Sequence, residues 1–380
     1  MPTLARLRKL ADREGTPLFI IDHDVIRANY EKLRKYLPRV MPYFAMKANP
    51  EPQIIQTLFP YGGGFDVASL QEYQTVLENV PAAALRGHKR NDFIWDRIIV
   101  ANTIKPIATL KEITGYNTLM TFDNEYELDK IKEHCSDAGL VCRLRVQNVG
   151  SVVELSSKFG VEPGDAANLI DKAFNRGLSV EGLSFHVGSQ CCNIENYLNA
   201  LEASAQIFKE VRQRGHKLRL LNIGGGFPVP YDRTVPPFEE LATKLRVEID
   251  RLFPKSVEVV AEPGRFLVAT AAMLIVEVVG KSFRDDKWVY YVNDGVYGTL
   301  SGVIFDHIPY HFNAFKRGDK KLSAVVGPTC DALDTVSTSE MLPELNIGDL
   351  LYVKNCGAYT TGSATTFNGF PRTKILNINA

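Results

Sequence analysis

The run Tyr43-Phe44-Ala45-Met46-Lys47-Ala48-Asn49-Pro50 places a single lysine at the end of a short apolar segment. Such a run reads as a buried strand. Burial favours a neutral amine over an ammonium, and a neutral amine condenses with an aldehyde to form a Schiff base. From this segment alone, a lysine that snorkels to water from a strand end is the favoured reading. The rest of the chain decides between the two. Gly224-Gly225-Gly226 and Gly264-Arg265 each follow an apolar run, in turns where backbone N–H groups can approach an anion, the second with a guanidinium added. Either alone is an ordinary tight turn; the pair on adjacent strands reads as a phosphate cradle. Glu262 could keep a pyridine nitrogen protonated and so make the ring an electron sink, or could be a plain N-cap. His186, in Phe185-His186-Val187-Gly188-Ser189, is a ring-stacking candidate or a satisfied core histidine. Cys330, in Gly327-Pro328-Thr329-Cys330-Asp331, is flanked by turn formers and reads as an exposed thiol able to give a proton. These residues together would serve a phosphorylated aldehyde cofactor.

The elements that must position them alternate. Apolar runs lie at 41–45, 64–68, 97–101, 119–123, 141–146, 182–187, 220–223 and 257–261, with helical periodicity between them at 124–134, 163–175, 194–214 and 238–252. Repeated strand–helix alternation over residues 24–265 predicts a (β/α)8 barrel, an α/β fold, in preference to an open doubly wound sheet. Lys47, Asp66, Ser69, His186, Ser189, the glycine triplet and the Glu262 turn fall at the C-terminal ends of these runs, and Arg143 within the fifth. That is the catalytic face of such a barrel. After residue 266 the runs at 288–293, 322–326, 350–353 and 373–378 are short and β-rich, predicting an all-β domain that the strand at 17–22 could join. Residues 81–96 read as an exposed barrel loop.

Composition sets the remaining bounds. The 380 residues, 45% hydrophobic and 23% charged, are those of a globular protein larger than one small domain. Lys+Arg and Asp+Glu balance at 44 each, so no net field draws nucleic acid or an anionic membrane. The apolar stretch 266–276 is interrupted by Glu277 and too short to span a bilayer, and no signal-peptide pattern opens the chain. Six cysteines without disulfide or metal spacing suggest a reducing compartment, hence a cytoplasmic location and no metal site.

The quoted segments, with Phe44-Ala45-Met46-Lys47-Ala48-Asn49, Gly64-Phe65-Asp66-Val67-Ala68-Ser69, Asn293-Asp294-Gly295-Val296-Tyr297-Gly298 and Thr366-Phe367-Asn368-Gly369-Phe370, resemble the fold-type III pyridoxal-phosphate decarboxylases of basic amino acids. The likeness is greatest to ornithine decarboxylases of the eukaryotic type and bacterial ornithine/lysine decarboxylases, and runs over residues 17–372. It implies that Lys47 carries pyridoxal 5'-phosphate. Ser189, Gly224–Gly226, Gly264, Arg265 and Tyr359 would hold the phosphate, Glu262 the pyridine nitrogen and His186 the ring face, with Asp66 and Arg143 lining the site. It further implies a head-to-tail homodimer in which Cys330 and Asp331 serve the partner's cofactor and Lys158 pairs with Asp334 across the interface.

For the substrate, the resemblance assigns Asp306 and the partner's Asp331 to the distal ammonium, with Tyr297 and Phe367 also lining the site. Two carboxylates suit a terminal amine and repel a terminal carboxylate. Relatives acting on diaminopimelate carry Cys-Glu-Ser where this chain has Cys330-Asp331-Ala332, and arginine-specific relatives tend to carry a longer acid at Asp306. Decarboxylation of L-ornithine to putrescine is therefore expected, with L-lysine to cadaverine alongside it, since one methylene separates substrates by only about 1–3 kcal/mol. Three other readings stand: another basic or D-amino acid, a racemase, which would set an arginine against the pyridine nitrogen, and a non-catalytic regulator of the antizyme-inhibitor kind. Gln190-Cys191-Cys192 departs from the family pattern.

Overall fold

The computed structural model describes residues 2–151, 157–231 and 234–380. Eight parallel strands close into a barrel in strict chain order: Val40–Ala45, Gly64–Val67, Ile98–Val100, Leu119–Phe122, Gly139–Arg143, Ser179–Ser184, Leu220–Asn222 and Glu258–Ala261. The last pairs with the first through Val259 and Val40, which removes every sheet edge. The anticipated helices are present as Glu125–His134, Pro163–Asn175, Ile194–Gln213 and Phe238–Leu252. Asn124 caps the first of them by accepting from the Glu127 backbone N–H at 3.0 Å. Their apolar stripes, such as Leu241, Ala242, Leu245 and Ile249, are buried against the barrel wall.

The second unit is a sheet built on the long strand Ala272–Arg284. Its first half pairs with Leu18–Asp22 and with Leu350–Lys354, and its second half with Lys287–Val292. Beyond that last strand lie Lys320–Val326 and Thr335–Pro343, while Lys374–Ile378 runs parallel to Leu18–Asp22. The helix Leu4–Glu14 covers one face, packing Leu7 and Leu10 with Leu18, Ile20, Met273 and Tyr352. The strand at 17–22 thus joins the sheet, as its sequence suggested. No helix among the described residues is long and apolar enough to cross a membrane.

One region differs from the sequence reading. Residues 81–96 are not a loop: His88–Arg97 is an α-helix whose Phe93 and Ile94 are buried. Its first turn, His88-Lys89-Arg90-Asn91-Asp92, is wholly polar and hides the period. The helix is pinned by Arg97, whose Nε donates to the Gly63 carbonyl at 2.6 Å and whose guanidinium lies 5.5 Å from the Phe59 ring centroid. The apolar stretch from Phe266 runs through several elements. It breaks into the one-turn helix Arg265–Val268, a 3-10 turn and the start of the long strand. Glu277 lies within that strand, its carboxylate accepting from the Thr16 hydroxyl at 3.0 Å.

Candidate active site

Lys47 lies in the single 3-10 turn Met46–Ala48 that follows the first barrel strand, so its side chain enters the mouth of the barrel. Its Nζ is 2.7 Å from Oδ2 of the buried Asp66, at the end of the neighbouring strand. The side chain is 43% exposed, and it lines the cavity at the barrel mouth. The neutral amine expected from burial is not what this geometry favours. Burial works against the charge, but Asp66, then Tyr359 and Glu262, outweigh it and raise the pKa.

The seventh and eighth strands supply the opposite wall. Gly224 and Gly226 adopt φ of +65° and +95°, and a Cβ on Gly225 would stand 2.6 Å from the Glu262 carbonyl oxygen, so the turn requires glycine at each position. Asn222 links this turn to Glu262. Its Nδ2 donates to Glu262 Oε1 at 2.6 Å, and its Oδ1 accepts from the Gly224 N–H at 2.9 Å. Burial, and then the charge of Asp66, raise the Glu262 pKa. Tyr197, fully buried, braces the turn through Gly225 O at 2.8 Å.

Arg265 opens its one-turn helix and is 5% exposed. Nη2 donates to Ser189 Oγ at 2.8 Å and to Asp306 Oδ2 at 2.6 Å, and Nη1 to the Tyr231 hydroxyl at 3.1 Å. The Tyr359 ring lies 4.7 Å from the guanidinium. His186 is held neutral: burial, then Arg143 and Lys47, push its pKa well below the usual value. Its Nδ1 accepts from the Gly188 N–H at 3.0 Å, so the proton is on Nε2. Arg143 itself stacks 4.9 Å over Phe159. Ser69, by contrast, caps the helix Leu70–Asn79.

A cavity of about 170 Å³ gathers Lys47, His186, Ser189, Glu262, Arg265, Asp306 and Tyr359. The expected residues Cys330, Asp331, Tyr297 and Phe367 do not line it. They form a second cluster. The Tyr297 hydroxyl donates to Asp331 Oδ2 at 2.5 Å, and the Tyr297 and Phe367 rings stack with centroids 4.3 Å apart. One chain therefore separates the amine from the thiol. Lys158 is exposed beside Phe159, while Asp334 is buried and accepts from the Val296 N–H at 2.8 Å and the Thr329 N–H at 3.0 Å, organising the Cys330 loop.

Comparison with known proteins agrees with this geometry. Residues 23–269 match the family of pyridoxal-dependent decarboxylases, over its pyridoxal binding domain. The chain belongs to that family. This decarboxylase is 37% identical to the lysine/ornithine decarboxylase of Selenomonas ruminantium, over 96% of this chain and 90% of the relative. It is 38% identical to antizyme inhibitor 2 of Xenopus laevis, over 96% and 81%. The crystal structure of Vibrio vulnificus lysine/ornithine decarboxylase complexed with cadaverine superposes with a TM-score of 0.90 at 34% identity, over 99% and 98% of the two chains. The protein is thus a fold-type III, pyridoxal-phosphate-dependent amino-acid decarboxylase.

The cavity fits that cofactor. It presents an amine, a carboxylate of raised pKa and a buried guanidinium whose Nε has no hydrogen-bond partner among the described residues. A carboxylate, Asp306, already sits on Arg265, which shows that this corner accepts an anion. Sequence reasoning missed Asn222, Tyr197 and Gln190. Gln190, seen only as a departure, clamps Val229 by donating to its carbonyl at 2.9 Å and accepting from its N–H at 2.7 Å.

Proposed function

We propose that this decarboxylase converts L-ornithine to putrescine and carbon dioxide for polyamine synthesis, with L-lysine as a second substrate, as a cytoplasmic homodimer. The observation that carries the substrate is Asp306, a carboxylate in the same cavity as Lys47. It offers an opposite charge to a terminal ammonium and repels a terminal carboxylate. Asp306 is also the short acid, at a position where arginine-specific relatives tend to carry a longer one.

Bound pyridoxal phosphate supplies an electron-withdrawing ring conjugated to the carbon that loses the carboxylate. The chain does the rest. Lys47 would hold the cofactor through its amine, which Asp66 orients at 2.7 Å. Glu262, oriented by Asn222, would meet the ring nitrogen, and neutral His186 would bind the ring without adding charge. Ser189, Tyr359, the Gly224–Gly226 turn, Gly264 and Arg265 hold the phosphate, while Asp66 and Arg143 set the local field. Cys330 of a second copy of the chain delivers the proton, with Asp331 beside it on the distal ammonium and Tyr297 and Phe367 shaping that wall. In this reading the Cys330 loop, organised by Asp334, abuts Lys158 of the other copy. The separation of thiol from amine within one chain favours a shared site.

The likeness to an antizyme inhibitor makes a non-catalytic regulator the second reading. Against it, Lys47, Glu262, Arg265 and Cys330 are all in place. Cofactor-loaded protein given L-ornithine should release carbon dioxide and putrescine in equal amounts, and Lys47→Ala should release neither. Absence of both products from the unaltered protein, with cofactor bound, would overturn the ornithine assignment and leave the regulatory reading or another amino-acid substrate.

A further inference from the structure

The thiol of Cys330 meets one specific partner. Asn368 Oδ1 accepts from the Cys330 backbone N–H at 3.1 Å and lies 3.3 Å from Cys330 Sγ. A backbone N–H only donates, so this contact fixes which end of the Asn368 amide faces the loop. The sulfur therefore faces a carbonyl oxygen, and the favourable form there is S–H donating into it. Asn368 reaches that position with a backbone φ of +55°, in the left-handed region that asparagine tolerates better than most side chains. Its neighbour Phe367 stacks on Tyr297, and Tyr297 binds Asp331, the residue after Cys330. The segments around Cys330 and Asn368 are thus clasped at successive residues.

We propose that Asn368 is a positioning residue that holds Cys330 as an oriented, protonated thiol until the substrate carbon needs its proton. The inference rests on the role given above to Cys330. In the transfer, the S–H bond breaks, a C–H bond forms at the carbon that lost carbon dioxide, and the sulfur regains a proton from water. Asparagine is otherwise an ordinary turn residue at positive φ, and the test must separate the two roles.

Asn368→Gly keeps the backbone conformation and removes the acceptor, whereas Asn368→Asp keeps an acceptor. The readouts are alkylation of Cys330 by iodoacetamide in the cofactor-loaded full-length protein, followed by peptide mass spectrometry with the exposed Cys192 as internal reference, and amine formed per carbon dioxide released. With Asn368→Gly, alkylation should accelerate roughly 2- to 10-fold, the worth of one hydrogen bond. Amine per carbon dioxide should then fall below one, because a misplaced donor lets the proton go to the cofactor. Asn368→Asp should alkylate more slowly than the unaltered protein and restore the amine ratio. If Asn368→Gly alkylates at the unaltered rate and keeps its amine ratio, the proposal is overturned even where turnover falls, since a merely structural loss slows both products alike. Cys330→Ala with an unchanged amine ratio would instead remove the donor role of Cys330, and alkylation would still decide the Asn368 contact.

Discussion

Lys47 Nζ and Asp66 Oδ2 stand 2.7 Å apart at the ends of neighbouring barrel strands, a buried carboxylate facing the amine proposed as the nucleophile. The pairing raises the Lys47 pKa, so the free amine is the minor form at neutral pH and grows as pH rises. Capture of pyridoxal phosphate by the cofactor-free protein should therefore quicken steadily with pH above neutrality. Asp66→Asn removes the stabilising charge and should move that rise to lower pH. Stopped-flow absorbance of the lysine-bound cofactor checks this; an unchanged pH profile in Asp66→Asn would show that Asp66 does not control the amine.

Asn222 and Glu262 form the second coupled pair, 2.6 Å apart and buried. Glu262→Gln keeps the shape and loses the charge, and should lower kcat by about 10²-fold, the scale of one lost electrostatic contact at a developing charge. Asn222→Ala should lower kcat less, with KM for ornithine little changed, because it only frees the carboxylate to turn. Steady-state kinetics of both variants test the order, and equal or inverted losses would contradict it.

Arg265 and Asp306 form a buried ion pair at the corner assigned to the phosphate. Asp306→Asn removes the internal anion that occupies Arg265, so cofactor affinity should be maintained or increased. Loss of its bond to the distal ammonium should raise KM for ornithine roughly 10- to 100-fold. Cofactor titration and KM should therefore move independently. A large loss of cofactor affinity would make Asp306 a cofactor residue and remove the argument for substrate choice.

The cavity of one chain holds Lys47 but not Cys330. If a second copy supplies the thiol, mixing Lys47→Ala with Cys330→Ala should restore activity that neither has alone. Random exchange puts both changes in one site of each mixed dimer and neither in the other, so about a quarter of normal activity should return. No recovery after verified subunit exchange would place both residues in the same chain's site.

Much of this was legible in the sequence because the barrel repeats a local signal. The eight apolar runs lie close to the eight strands, and Pro163–Asn175 and Phe238–Leu252 end where their periodicity ends. The glycine turn and the buried guanidinium were legible too, since Gly224, Gly226 and Arg265 declare themselves by residue type. What escaped notice depends on contacts distant in the chain. Asn222 matters only because Glu262 folds beside it, and Asn368 only because Cys330 does. The helix His88–Arg97 was lost because one polar turn erased its period, and the strand Thr335–Pro343 because five of its first six residues are polar. The charge of Lys47 was misjudged because burial alone ignores Asp66.

The most direct test of the central claim is competition among L-ornithine, L-lysine, L-arginine and meso-diaminopimelate at equal concentration, with each amine product quantified from the cofactor-loaded protein. The account predicts putrescine as the dominant product, cadaverine at a lower level, and no product retaining a carboxylate. Agmatine as the main product, or turnover of diaminopimelate, would contradict the assignment of Asp306 to a terminal ammonium.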